Sequence, residues 1–492
     1  MSELARKTVN GAAINVSVTL TKTVLQFAVV LPILARIVPP EQFGLVGMAM
    51  AFVSFFTMLN DLGISAALVR AESPSRAFWS SAFWTNSAIG VVLTGLTFLA
   101  APYIAGFFRE PIVEPLVQVL SVILLMHCVF LVPMAWLQRN YRFRTIAAID
   151  LSATILAAVT AILAARAGYG VWALAWQQLV MFGVKMIGGL VAQRAPISLT
   201  YRWAEIAAVL PFSLRLTGAG LVGFANRNAD NILIGRFLGA EALGFYGRAY
   251  QIMLVPVHSL SMGASFALYP AMSSIQNDRP QLNGVYLKSL SILAAITLPM
   301  MAGLALVAVP FVEFVFGERW RPVAPALVGL SFAGAIQALT GTSNVLWTAL
   351  GRSDVLLRWS LIRMATFLTA FAVGIWFGSI GAVAAAYLLA NLIVFVPYQV
   401  ETCRTAGIGL GECVKALLPP MASTAAMALV IIALRGGVPG LGSMASYSQL
   451  AILVPAGILG YVLSLQLFFR SYVVENWRLA LELFMRRASP AE

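Results

Sequence analysis

Four polar residues near the start, Asn15, Thr19, Lys22 and Gln26, recur every three or four positions in an apolar run, and one carries a full charge. On a helix that spacing makes one polar stripe. Arg215 and Asn226 stand eleven positions apart, so a second helix nearly aligns them. Asp230 follows on a similar face, with Arg227 turned about a third of the way round. His258, Ser261 and Ser265 draw a third polar line. A charge buried in a membrane span costs about 2.5–3.5 kcal/mol on insertion scales, so it faces a hydrated cavity or a partner. The chemistry on offer is capture of an oxyanion: Arg supplies planar, paired hydrogen bonds to phosphate oxygens and Lys a compact point charge.

Structural roles stand beside these. Arg227 and Asp230 are three apart and can neutralise one another. Arg215 can snorkel to the interface, and a lone His258 fits a satisfied structural position. Arg36 and Arg236 suit helix C-termini, where a cation meets orphan carbonyls. Asp61 and Asp150 fall near expected span ends, as helix caps or as partners of Arg70 or Arg144.

The elements that must carry these residues are membrane helices. The chain has 492 residues, 60% hydrophobic and 10% charged, with a mean hydropathy of +0.88. Soluble domains carry about 25% charged residues, and apolar surface on this scale has no place in water. Fourteen apolar runs are long enough to cross a bilayer, near 14–35, 43–60, 80–101, 115–137, 146–166, 171–192, 206–228, 246–270, 287–312, 324–349, 356–377, 380–400, 414–434 and 448–469. The start lacks the pattern of a cleavable signal. The stretch 474–487 places Glu475, Arg478, Glu482 and Arg486 on one face and reads as an interfacial amphipathic helix. The expected fold class is an all-α polytopic membrane protein.

Fourteen spans put both termini on one side. Of the 32 Lys and Arg residues, 21 gather on that side, 8 on the other, and Lys22, Arg215 and Arg227 fall inside spans. Lys185 is counted among the flanking residues. The bias places both termini in the cytoplasm and accounts for the net charge of +13 without nucleic acid.

Residues 34–49, LARIVPPEQFGLVGMA, repeat at 234–249 as IGRFLGAEALGFYGRA, with identities at Arg36/Arg236, Glu41/Glu241, Gly44/Gly244, Gly47/Gly247 and Ala49/Ala249. The turn follows the first span and the seventh. A weaker echo pairs 137–139 with 350–352. This predicts a parallel duplication of six-helix lobes, 1–200 and 201–405, then two extra spans at 406–470 and a cytoplasmic amphipathic tail at 471–492. Duplicated lobes around a midplane cavity are a transporter design.

Enzyme chemistry finds no support. The chain has no G-x-x-x-x-G-K-[ST], no DxD-type carboxylate pair and no H-E-x-x-H, and it holds two His. Its three Cys, at 128, 403 and 413, match no metal spacing and no disulfide framework. No cofactor is expected. Energy then comes from an ion gradient or from downstream consumption of the product. Asp230 is the nearest candidate for ion coupling, and the coupling ion stays open.

Residues 34–49, DLGISAALVR (61–70), APYIAGFF (101–108), LQRNYRFRTIAAID (137–150), GYGVWALAWQQLV (168–180), NADNILIGRFLGAEALGFYGRAYQ (228–251), LYPAMSSIQND (268–278) and GERWRPVAPAL (317–327) carry a resemblance in this order. The chain resembles the polysaccharide transporter (Wzx/WzxC-like oligosaccharide flippase) family of the multidrug/oligosaccharidyl-lipid/polysaccharide superfamily. The resemblance implies a fourteen-helix, two-lobed protein of the bacterial inner membrane. It implies movement of undecaprenyl-diphosphate-linked oligosaccharide repeat units from the cytoplasmic to the periplasmic leaflet, for exopolysaccharide or lipopolysaccharide biosynthesis. Membrane lipids surround such a protein, and a polysaccharide polymerase and export machinery are partners to test. On this reading Lys22, Arg215 and Arg227 hold the diphosphate, while the sugars touch Gln26, Asn226 and His258. A peptidoglycan-precursor flippase, a small-molecule exporter of the same superfamily, and a polysaccharide polymerase or ligase remain the alternatives.

Overall fold

A computed structural model describes residues 17–60, 64–71, 74–207, 210–472 and 474, with side chains described throughout these except at 210–227 and 259–267. The described chain is helical, and contacts divide it into two compact units, Met1–Gly247 and Arg248–Glu492.

In the first unit, α1 (Ser17–Ile37) is followed by α2 (Pro40–Thr57), the short α3 (Ile64–Arg70), α4 (Arg76–Phe108), α5 (Val113–Arg139), α6 (Phe143–Arg166), α7 (Val171–Ala192), and a short α8 (Trp203–Ala207). Local chemistry sets the boundaries. The Ser75 side chain accepts from the Phe78 amide at 2.9 Å and caps α4. Between α6 and α7 the chain turns within Ala167–Gly170, where Gly168 has φ 82° and Gly170 φ 55°. So short a link forces α6 and α7 into an antiparallel hairpin. Helices α4 and α5 form a second hairpin, and α5 also packs on α2 and α7.

The helical run α9 (Leu210–Ser274) is broken at Gly239, whose φ of 88° and ψ of 178° are open only to glycine. Its segment up to Gly247 belongs to the first unit. There the two copies of the repeated turn meet. A Cβ built on Gly44 would stand 1.7 Å from the Ala240 carbonyl oxygen, and one on Gly244 would stand 2.0 Å from the Pro40 carbonyl oxygen. The contact is reciprocal at the 200-residue offset: each copy of the turn packs its glycine against the other's backbone.

The second unit continues with α10 (Arg279–Leu306), the short α11 (Ala308–Phe316), α12 (Val323–Ala349), α13 (Ser353–Trp376), α14 (Ile380–Ala406), α15 (Leu410–Gly437) and α16 (Ser446–Phe468). Asp278 and Ser379 cap α10 and α14. The core is sealed by the fully buried Trp320, Trp347, Tyr286 and Tyr398. Tyr286 shares hydrogen bonds with Ser343 at 3.0 Å and Gln399 at 3.4 Å, tying α10, α12 and α14 together.

Among the described residues, eleven helices are long and apolar enough to span a membrane. They match eleven of the fourteen expected runs. Of the other three, 43–60 is present as α2, while 206–228 and 246–270 are absorbed into α9. Many large apolar side chains point outward, Val191, Trp376 and Phe468 among them. In a bilayer that surface meets lipid, which is why the composition is tolerated. The amphipathic tail expected at 474–487 lies outside the described residues, apart from Val474.

Candidate functional site

The α6/α7 hairpin sets a carboxylate opposite a lysine. Asp150 lies seven residues inside the start of α6, and Lys185 seven residues before the end of α7. At 1.5 Å per residue, both stand roughly 10 Å from the same end of the hairpin. The Lys185 ammonium is 3.1 Å from Asp150 Oδ1. Helix α1 brings a third group to the same carboxylate: Lys22 Nζ donates to Asp150 Oδ2 at 2.8 Å. One carboxylate therefore bridges two lysines from two other helices, each on its own oxygen. The three side chains are 22–27% exposed, so the cluster is neither sealed in the core nor open on a surface.

The expected pairing of Asp150 with the nearby Arg144 is not what forms. Sequence proximity favoured Arg144, but the hairpin and α1 bring Lys185 and Lys22 to the carboxylate. Lys185 belongs inside a span, rather than among flanking basic residues. Its signal was the run VWALAWQQLVMFGVKMIGGLVA, in which it is the single charged residue.

Lys22 stands just before a π-helical turn, Leu25–Val30, that contains Gln26. The Gln26 carbonyl accepts the Leu31 amide five residues on. Such bulges widen a helix and are frequent at functional sites. Gln26 is half-buried on α1.

The remaining expected residues are placed as follows. Arg215, Asn226 and Arg227 lie in α9, and their side chains are outside the described residues. Asp230 is 3% exposed. Its carboxylate accepts from the Tyr246 hydroxyl at 3.2 Å and the Asn231 amide at 2.8 Å. That environment holds the helix on either side of Gly239 together. His258 is exposed and belongs to the second unit. Among the described residues, no three His, Cys, Asp or Glu side chains gather as a metal site.

The second unit contains an apolar groove of about 460 Å³ between α10, α15 and α16, lined by Ile296, Met300, Met427, Leu453, Gly457 and Tyr461. Near the link between α14 and α15, the buried Cys403 and Cys413 thiols approach to 2.9 Å.

Comparisons with known proteins agree with this architecture. A family model described as polysaccharide biosynthesis protein matches residues 33–325. The chain is 26% identical over 402 residues to the lipopolysaccharide biosynthesis protein WzxC of Escherichia coli, covering 79% of this chain and 80% of that protein. It is 27% identical to the succinoglycan biosynthesis transport protein ExoT of Rhizobium meliloti, with 82% of each chain covered. Among solved structures, the lipid II flippase MurJ in an inward closed conformation superposes with a TM-score of 0.73 at 16% identity, over 93% of this chain and 98% of that one. A multidrug resistance MATE family transporter of the MOP superfamily, in an inward-facing conformation, gives 0.57 at 17% identity, over 77% of this chain and 94% of that one. Fold and family agree, and this multi-pass membrane protein belongs to the polysaccharide biosynthesis protein family.

Proposed function

We propose that the chain is a flippase for lipid-linked oligosaccharides. It would carry undecaprenyl-diphosphate-linked repeat units from the cytoplasmic to the periplasmic leaflet of the bacterial inner membrane. The observation that carries this reading is the Lys22–Asp150–Lys185 cluster. It places two ammonium groups and one carboxylate within membrane helices, a net charge of +1 where charge is costly.

The cargo explains why such a cluster would be kept. A diphosphate cannot cross hydrocarbon bare, and its oxygens suit charge-assisted hydrogen bonds from two lysines. With both termini cytoplasmic, as the basic-residue bias implies, the cluster lies roughly 10 Å from the cytoplasmic ends of its helices. That is the depth at which a headgroup entering from the inner leaflet first leaves water. Arg215 and Arg227 remain candidate further contacts, with Gln26, Asn226 and His258 for the sugars and Asp230 for ion coupling. The apolar groove between α10, α15 and α16 suits a stretch of hydrocarbon chain. The biosynthesis and transport named for WzxC and ExoT support the assignment, as does the match to the family model. A polymerase and export machinery would receive the product.

Deletion of the gene tests the reading by locating the diphosphate-linked oligosaccharide. Intact repeat units trapped on the cytoplasmic face, with polymer lost, establish a flippase and identify its cargo by mass. Trapped peptidoglycan precursor would reassign the cargo. Units that reach the periplasmic face unpolymerised would overturn the proposal in favour of a polymerase or ligase.

A further inference from the structure

We propose that Asp150 is an internal counter-ion exchanged for phosphate: it neutralises Lys22 and Lys185 in the empty carrier and is displaced when an anionic headgroup binds them. The proposal rests on the flippase reading and assigns how its site is reset.

The geometry gives the reason. Each oxygen of one carboxylate is committed to a different lysine, at 2.8 and 3.1 Å. The carboxylate therefore occupies the position an incoming phosphate would need. A diphosphate brings more negative charge and more acceptor oxygens than a carboxylate, so it can satisfy both ammonium groups at once. Lysine suits the exchange, because a point charge on a flexible stem re-aims without losing a fixed planar geometry. The partial exposure of all three side chains leaves room for it, in contrast to Asp230, sealed at 3%. The π-turn starting three residues after Lys22 gives α1 a place to adjust its register.

The return step supplies the second reason. After release, two bare ammonium groups within membrane helices would each face the cost of an unpaired charge in a span. Asp150 swinging back removes most of it, so the empty protein can return without cargo. A carrier with permanently free lysines would bind its ligand tightly and then stall.

The test measures binding of inorganic pyrophosphate to the purified full chain in nanodiscs. Asp150→Asn should bind at least tenfold tighter than wild type. Adding Lys22→Gln or Lys185→Gln to that variant should abolish the gain. Should Asp150→Asn fail to fold, the single variants Lys22→Gln and Lys185→Gln decide. Each leaves one neutral ion pair and should weaken pyrophosphate binding at least tenfold. Unchanged affinity in Asp150→Asn, or in both single lysine variants, overturns the proposal. In cells, Asp150→Asn should load cargo yet turn over at least tenfold more slowly than wild type, and wild-type turnover with tightened binding would also overturn it. A deletion strain whose oligosaccharides stay normally distributed sinks the flippase reading alone, since pyrophosphate binding is read independently of transport.

Discussion

Gly44 and Gly244 are each other's counterparts in the 200-residue repeat, and each presses its bare Cα face against the other copy's backbone. The built Cβ distances, 1.7 Å to Ala240 and 2.0 Å to Pro40, leave no room for a methyl group. The two copies of the repeated turn therefore meet in a reciprocal close crossing that only two glycines permit. Gly47 and Gly247, the other repeated pair, are looser: Gly247 has nothing within 4 Å of its built Cβ.

Gly44→Ala and Gly244→Ala should each destabilise the protein by about 3 kcal/mol or more, at the upper end of overpacking costs because backbone, not side chain, must move. Gly247→Ala should be close to neutral. Thermal unfolding of the purified chain in detergent separates the two classes, and equal melting of all three variants would contradict the crossing.

Tyr246→Phe should cost about 1–3 kcal/mol. It removes the hydroxyl that donates to the buried Asp230 carboxylate and leaves that acceptor one bond short. Because the pair lies within the segment around Gly239, loss of folded protein should precede any change in transport per folded molecule. The same thermal assay, paired with a transport measurement normalised to folded protein, checks both parts.

Arg139 donates through one guanidinium nitrogen to the carbonyls of Leu68 and Val69 at 3.2 Å each, and to that of Ala71. These carbonyls lie at the C-terminal end of α3. Arg139→Gln should destabilise by about 1–2 kcal/mol through loss of charge-assisted bonds to orphan carbonyls. Proteolysis near residues 68–75 should rise in the variant before global unfolding does.

Cys403 and Cys413 should cross-link under mild oxidation, since their thiols already approach to 2.9 Å. Two thiols then lose two protons and two electrons to form one S–S bond. Copper–phenanthroline treatment followed by peptide mass spectrometry should show 403–413 joined and Cys128 still reduced. A reduced pair under those conditions would mean the thiols are further apart in solution.

The sequence by itself determined the solvent and the plan. Sixty per cent hydrophobic residues with 10% charged leave a bilayer as the only place to put that surface. The runs then follow from hydrocarbon thickness, and LARIVPPEQFGLVGMA is visibly repeated at 234–249. Lys22 was also legible, because one charge in an apolar helix stands out whatever it touches.

Its partner was not legible. Period and spacing describe one helix at a time, so Asp150 was matched to Arg144, nearby in the chain. Only the tight turn at Gly168–Gly170, which folds α7 back along α6, decides that Lys185 lies opposite Asp150. Only the packing of α1 on α6 adds Lys22, 128 residues away in the chain. In the same way, identity of Gly44 and Gly244 marked a repeat, but not that the two copies touch. Which charges share a site depends on distances between helices, and those are set by side-chain packing and turn geometry that no periodicity within a single helix contains.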